Sequence, residues 1–150
     1  MGPRKWTITF TGCPRSHDAG GFELSRRLDS RDGLHARSLA WAKVASPLLI
    51  VTDYILLETV NYLSRPQDRT KVCLLANRIL TSSDYEVVPA SPQLLRAGLK
   101  LHEQSSDKAW SLTDYISFIV MRERGISQAL THDHHFEQAG FEALLRRDPP

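Results

Sequence analysis

The sequence predicts an α/β fold, a three-layer α/β/α sandwich around a central, mainly parallel sheet. From residue 34 onward, apolar runs of strand length alternate with segments of helical spacing. Such alternation is typical of a parallel sheet covered by helices on both faces. The chain has 150 residues, 41% of them hydrophobic, and no internal repeat. We therefore expect a single domain over residues 1–150 with one sizeable core.

The first 30 residues are the least typical part of that domain. WTITF alternates as a strand does, whereas TGCPRSHDAGG has the Pro, Gly and Ser content of a loop. From Leu34, HARSLAWAKVA has helical spacing, and Ser46 and Pro47 end it before the buried strand LLIV. The regular alternation begins with this helix.

The middle of the chain continues the alternation. Thr52 caps a helix in DYILLETVNYLS; after the turn RPQDR, KVCLLANRIL has helical spacing and YEVVPA alternates as a strand. Ser91 and Pro92 open the helix SPQLLRAGLKLHEQS, with proline at the position that needs no amide hydrogen. These segments predict two further helices with a strand between them.

Glu58 lies within the first of these helices. The apolar face is formed by Leu56, Val60 and Leu63, which leaves Glu58 on another, partly apolar flank. An unpaired carboxylate there must find a cation, take up a proton or turn outward. Taken alone, Glu58 is more often a solvated surface residue.

Asp114 opens a strongly apolar helix. In SLTDYISFIVM, Ser111 is a serine N-cap followed three residues later by Asp114, and Gly125 ends the helix. Because most of this helix is apolar, Asp114 is expected in apolar company. The alternative is that Asp114 only completes a capping box.

Asp133 follows the short buried strand ISQAL, in the polar turn THDHHF. The carboxyl end of a strand is where open α/β sheets usually bind ligands. Asp133 is also a natural cap for the helix that begins in HHFEQAG. His132, His134 and His135 suggest a transition metal, but adjacent imidazoles on one turn are expected to diverge, and no Cys or His lies at zinc-site spacing.

Charge and cysteine content leave the partner open. A formal charge of +2 and a pI near 8.7 are mildly basic, which is compatible with a protein that meets phosphates partly through metal ions. Cys13 and Cys73 are far apart, and the amino terminus lacks the apolar run of a signal peptide or membrane span. We expect a protein of the reducing cytoplasm that has no membrane partner.

Three acids converge in this scheme. In a parallel sheet, Glu58, Asp114 and Asp133 are expected near the carboxyl edge, and they share one pocket only with divalent cations between them. Mg²⁺ or Mn²⁺ suits all-oxygen ligands. Such ions activate water and stabilise the leaving oxygen in phosphodiester cleavage.

The same segments resemble the PIN-domain family, most closely the VapC-type toxins of toxin–antitoxin pairs. VTDYILLETVNYLSR is similar to the family's second acidic motif at Glu58, SLTDYISFIVMRERGI to the third at Asp114, and ALTHDHHFEQAGFEALL to the fourth at Asp133. RDGLHARS resembles the segment after the first acid. The resemblance spans roughly residues 31–145 and is carried by the joint pattern.

This resemblance implies a PIN fold and a metal-dependent endoribonuclease that cleaves RNA, is silenced by a cognate antitoxin and forms a homodimer. It implies that Glu58, Asp114 and Asp133 are catalytic metal ligands together with a first acid, best matched by Asp18 in HDAGGF. Here the sequence departs from the family, since TGCPRSH before Asp18 is a poor buried strand. Asp29 and Asp32 are the alternatives for this ligand.

Neighbouring polar residues are candidates for supporting roles. Thr113 and His132 lie beside the acids in the sequence and are candidates for orienting water or ligands, although such neighbours are more often structural. Basic residues are candidates for guiding RNA phosphates, with scattered surface charges as the alternative for each. They are Lys108, Arg122, Arg124, Arg26 and Arg27.

Two other function classes remain open. If the first acid is absent, the chain is a non-catalytic PIN-like module that binds RNA or a protein partner. The same pocket would also suit a small-molecule phosphohydrolase. A nucleotide-binding protein is disfavoured, because the sequence has no glycine-rich phosphate loop.

Overall fold

The structure, a computed structural model, describes residues 5–8 as backbone and residues 36–37, 40–41 and 48–149 in full. Residues 36–37 and 40–41 are helical, within the predicted HARSLAWAKVA helix. The strands are β1 (Lys5–Ile8), β2 (Leu48–Thr52), β3 (Tyr85–Val88), β4 (Gln128–Leu130) and β5 (Glu142–Ala143). The helices are α1 (Asp53–Tyr62), α2 (Arg69–Thr81), α3 (Pro92–Gln104), α4 (Leu112–Glu123) and α5 (His134–Gln138), and a 3₁₀ turn covers Leu144–Arg146.

The five strands form one sheet in the order β3-β2-β1-β4-β5. Every strand pair in it is parallel, which confirms the predicted α/β class. The chain builds outward from β1 to β3 and then crosses to the other side for β4 and β5. Thr7 pairs with Ile50 on one side and Ala129 on the other, so β2 and β4 end at the same edge. The order reverses between β1 and β4, where sheets of this class bind ligands.

Helices cover both faces of the sheet. Leu49 and Val51 of β2 pack in a cluster with Ile79 of α2, while Ile50 between them packs with Phe118 of α4. Successive strand residues point to opposite faces. Two apolar layers therefore sandwich the sheet, as the predicted three-layer architecture requires.

Three helix ends follow the predicted signals. The Thr52 hydroxyl oxygen accepts a hydrogen bond from the Ile55 amide at 3.2 Å, and the Ser91 hydroxyl oxygen accepts one from the Leu94 amide at 3.1 Å. After α4, Gly125 has a φ of 63°, a left-handed conformation that glycine adopts without the steric cost of a Cβ.

The buried face of α1 differs from the one we predicted. The prediction centred it on Leu56, Val60 and Leu63, whereas the buried residues are Ile55, Leu56 and Thr59. Thr59 tolerates burial because its hydroxyl donates to the Ile55 carbonyl at 2.7 Å. This rotation of the buried face brings Glu58 partly under cover.

A close helix contact fixes the position of α4. A Cβ added to Gly98 of α3 would lie 2.7 Å from Cγ1 of Ile116, so only glycine lets α3 approach α4 at this point.

Within the described ranges, no helix combines the length and apolar character needed to cross a membrane.

Candidate active site

Asp114 is a buried carboxylate with one oxygen engaged and one free. Its Oδ2 accepts the Ser111 amide at 2.8 Å, and the Ser111 hydroxyl oxygen accepts the Asp114 amide at 3.1 Å, which completes the predicted capping box. The residue is only 2% exposed, and its Oδ1 is buried without a hydrogen-bond partner. Helix capping therefore explains the hydrogen bond of Oδ2 but not the burial of Oδ1.

The environment of Asp114 disfavours its charged form. The pKa of its carboxyl is raised to about 7, mainly by burial and to a smaller extent by the negative charges of Asp133 and Glu58. The hydrogen bonds from Ser111 act in the opposite direction and are outweighed. Asp114 thus lies close enough to both acids to interact with their charges.

Glu58 is the second carboxylate whose environment disfavours the charged form. Its pKa is raised to about 7 by burial, which outweighs the opposing effect of a hydrogen bond from the Thr113 side chain. Its Oε2 is buried without a hydrogen-bond partner. Thr113 precedes Asp114 on α4, so this hydrogen bond links α1 to α4, helices from opposite faces of the sheet.

Asp133 lies just beyond the end of β4. Its amide donates to the hydroxyl of the buried Thr131 at 3.1 Å, and its Oδ1 accepts the His135 amide at 2.8 Å. It therefore caps α5, as the alternative interpretation predicted. Its side chain is 12% exposed, and its charge acts on Asp114.

The two histidines after Asp133 do not diverge, and that prediction was wrong. Nδ1 of His134 lies 3.4 Å from Oδ1 of Asp133, and Nδ1 of His135 lies 3.2 Å from Oδ2. The ring centroids are 4.3 Å apart. Both side chains fold back over the capping carboxylate, and the sequence DHH alone did not predict this contact.

These carboxylates fit a divalent cation. Two buried oxygens, on Glu58 and Asp114, lack partners, and leaving such groups charged without a cation is costly. All three residues offer oxygen ligands, which Mg²⁺ and Mn²⁺ prefer. The chemistry of the donor set thus agrees with the predicted metal site.

Other predicted residues are elsewhere or already engaged. Asp18, Asp29, Asp32, Arg26 and Arg27 lie outside the described residues. The remaining basic candidates have contacts within the chain. Arg124 pairs with Glu86, Lys108 pairs with Asp107 at 3.0 Å, and the Arg122 guanidinium lies 5.7 Å from the centre of the Phe141 ring.

Comparison with known proteins finds relatives that match most of this chain in sequence. The chain is 32% identical over 114 residues to the 23S rRNA-specific endonuclease VapC20 of Mycobacterium tuberculosis strains CDC 1551/Oshkosh and ATCC 25618/H37Rv, which covers 75% of this chain and 83% of each relative. No protein-family model matches the sequence.

A solved structure agrees in fold. The crystal structure of M. tuberculosis VapC20, described as a sarcin–ricin loop cleaving toxin, matches with a TM-score of 0.72 and 22% identity, over 90% of this chain and 95% of that chain. The sequence relationship and the shared fold confirm the resemblance seen in the acidic motifs. The chain therefore belongs to the VapC family of PIN-domain toxin endoribonucleases.

Proposed function

We propose that this chain cleaves RNA with a divalent cation, Mg²⁺ or Mn²⁺, held by Glu58, Asp114 and Asp133. The observation that carries the proposal is the pair of buried carboxylate oxygens without partners, on Glu58 and Asp114, beside the charge of Asp133. Folding tolerates such a cluster poorly unless a ligand compensates it. Asp18 stays a prediction for a fourth ligand.

The chain's own residues hold each acid in place. Ser111 fixes Asp114 through two hydrogen bonds, Thr113 hydrogen-bonds Glu58, and the Thr131 hydroxyl anchors the backbone of Asp133. When bound, the cation supplies Lewis acidity and neutralises charge in phosphodiester hydrolysis. The preorganised carboxylates position it without rearrangement at the moment of reaction.

The names of the relatives suggest the substrate class. VapC20 is named for action on 23S rRNA and for cleaving the sarcin–ricin loop. We infer that this chain likewise acts on a structured loop of ribosomal RNA. Its formal charge of +2 agrees with a nuclease that neutralises phosphates partly through metal ions.

Partners and location follow from family membership as further proposals. We infer that a cognate antitoxin silences the enzyme, that the toxin forms a homodimer and that it acts in the cytoplasm. Light scattering of the purified chain, alone and with the antitoxin, measures mass and so tests the homodimer and the antitoxin complex, and loss of RNA cleavage in that complex tests the silencing.

The activity is tested with purified chain free of antitoxin, incubated with 23S rRNA in Mg²⁺ or in EDTA. We expect discrete cleavage in Mg²⁺ only, and a loss of at least about 100-fold in Asp114→Asn and Glu58→Gln, as for other losses of preorganised charge. Glu123→Gln, on the exposed side of α4, is the matched control and should cleave normally.

Three results would count against the proposal. Equal products in Mg²⁺ and EDTA would point to a contaminating nuclease, and RNA binding without cleavage would favour the non-catalytic module. Turnover of a short phosphoester with intact rRNA would favour the small-molecule phosphohydrolase.

A further inference from the structure

Asp133, His134 and His135 bring oxygen and nitrogen donors together at one of the three acids of the proposed site. One ligand atom from each of the three residues lies within 4.8 Å of the others. His135 is half-buried and His134 is exposed, with 22% and 57% of their side chains accessible. The metal site derived from the three carboxylates has no role for these imidazoles.

The donor types differ in metal preference. Mg²⁺ binds carboxylate and water oxygens and takes up nitrogen ligands poorly, whereas imidazole suits first-row transition metals. A nitrogen beside a carboxylate therefore shifts selectivity away from Mg²⁺. The Nδ1 atoms at 3.4 and 3.2 Å from the two Asp133 oxygens are spaced as two ligands of one ion can be, since each lies about 2.0–2.2 Å from such an ion.

A second observation points to a ligand at the same place. Asp114 is 2% exposed, its Oδ1 has no hydrogen-bond partner, and its carboxyl interacts with the charge of Asp133. An unsatisfied buried acceptor therefore belongs to a carboxyl that interacts with the charge of Asp133, while the two imidazoles lie against the Asp133 carboxylate itself. A cation at Asp133 would be attracted by both sets of donors.

We propose that Asp133, His134 and His135 bind a divalent transition metal ion through carboxylate oxygen and imidazole nitrogen, so that the site prefers such an ion to Mg²⁺. This inference rests on the proposed function, because Asp133 belongs to both ligand sets. It adds a nitrogen-containing extension to the oxygen-only site.

The test uses Mn²⁺ as a paramagnetic probe of the full-length chain. Pulsed electron paramagnetic resonance of the Mn²⁺-loaded protein is expected to show coupling to ¹⁴N of imidazole, and the double variant His134→Asn/His135→Asn is expected to lose it. Calorimetric titration should give tighter binding of Mn²⁺ than of Mg²⁺ to the unchanged protein. In the double variant the Mn²⁺ affinity should fall on the order of tenfold or more, with Mg²⁺ affinity nearly constant.

His102→Asn, at an exposed histidine of α3, is the matched control and should retain both the coupling and the affinities. Mn²⁺ bound without ¹⁴N coupling to the unchanged protein would overturn the inference, whether or not the double variant folds. If RNA is still cleaved in Mg²⁺, that result leaves the proposed nuclease intact. A chain that binds neither ion and cleaves no RNA would instead overturn the proposed function and the inference with it.

Discussion

At the scale of single residues, the main feature of the site is that the two side-chain oxygens of Asp114 have different environments. Oδ2 belongs to the start of α4, and Oδ1 is buried without a partner. The spacing of Ser111 and Asp114 predicted the first oxygen's role and the apolar helix predicted its burial. A capping box alone does not explain the second oxygen.

The raised pKa of Asp114 gives a prediction about stability in the metal-free protein. The pKa is about 7 in the folded chain against an ordinary value of 3.8, so the folded state holds a proton that the unfolded state releases. The stability associated with this proton is present at low pH and is lost as pH rises from about 4 to about 7. Above that range the folded protein carries an unpaired buried charge.

We therefore expect Asp114→Asn to be more stable than the unchanged chain in EDTA, with an advantage that grows by on the order of 1–2 kcal/mol between pH 5.5 and 8. Urea unfolding at the two pH values measures this. Glu123→Gln should show no such growth. If the stability difference between Asp114→Asn and the unchanged chain is the same at both pH values, Asp114 does not have the raised pKa from which this prediction follows.

Other residue contacts were beyond sequence reasoning for a physical reason. The hydrogen bond from Thr113 to Glu58 joins α1 and α4, and no local pattern encodes a contact between distant helices. The rotated buried face of α1 has a related origin. The Thr59 hydroxyl finds its hydrogen-bond partner within the helix. A polar residue can therefore lie on the buried face, where the periodicity predicted only apolar residues.

At the scale of elements, two helices begin with the same chemistry but differ in what the cap holds. Ser111 caps α4 and exchanges hydrogen bonds with Asp114, whereas the Ser91 hydroxyl caps α3 by accepting the amide of Leu94, a residue whose side chain cannot return a hydrogen bond. Both N-caps were predicted from the sequence. They form a natural pair for separating stability from positioning.

We expect Ser111→Ala and Ser91→Ala to destabilise the protein by a similar amount, about 1 kcal/mol each. Only Ser111→Ala should also weaken metal binding and RNA cleavage, because it removes the hydroxyl that accepts the Asp114 amide and that also hydrogen-bonds the Asp114 carboxyl. Urea unfolding and calorimetric metal titration on both variants provide the comparison. Equal effects on metal affinity would show that Ser111 acts through stability alone.

At the scale of the whole molecule, the fold was predictable in class but not in order. Alternating strands and helices predicted a parallel sheet, and all described pairs are parallel. The order β3-β2-β1-β4-β5 depends on which strands pair across long separations, and periodicity does not encode that. The strands β2 and β4, which precede Glu58 and Asp133 in the chain, end at the same edge on either side of β1, and the charges of both acids act on Asp114.

The amino-terminal segment marks the other limit. β1 confirms part of the strand predicted in WTITF, and it lies at the centre of the sheet. Asp18, the candidate first acid, falls outside the described residues, so its role stays a prediction. The proposed cation site therefore rests on the three acids that follow β1 in the chain, Glu58, Asp114 and Asp133.

The central claim is that Glu58, Asp114 and Asp133 share a divalent cation, and thermal unfolding at pH 7.5 tests it most directly. Saturating Mg²⁺ should raise the melting temperature of the unchanged chain by roughly 5 °C or more over EDTA, and Glu123→Gln should respond equally. Asp114→Asn should melt at nearly the same temperature with and without Mg²⁺. An unchanged chain that is indifferent to Mg²⁺, or an Asp114→Asn variant stabilised by it to the same extent, would contradict the shared site.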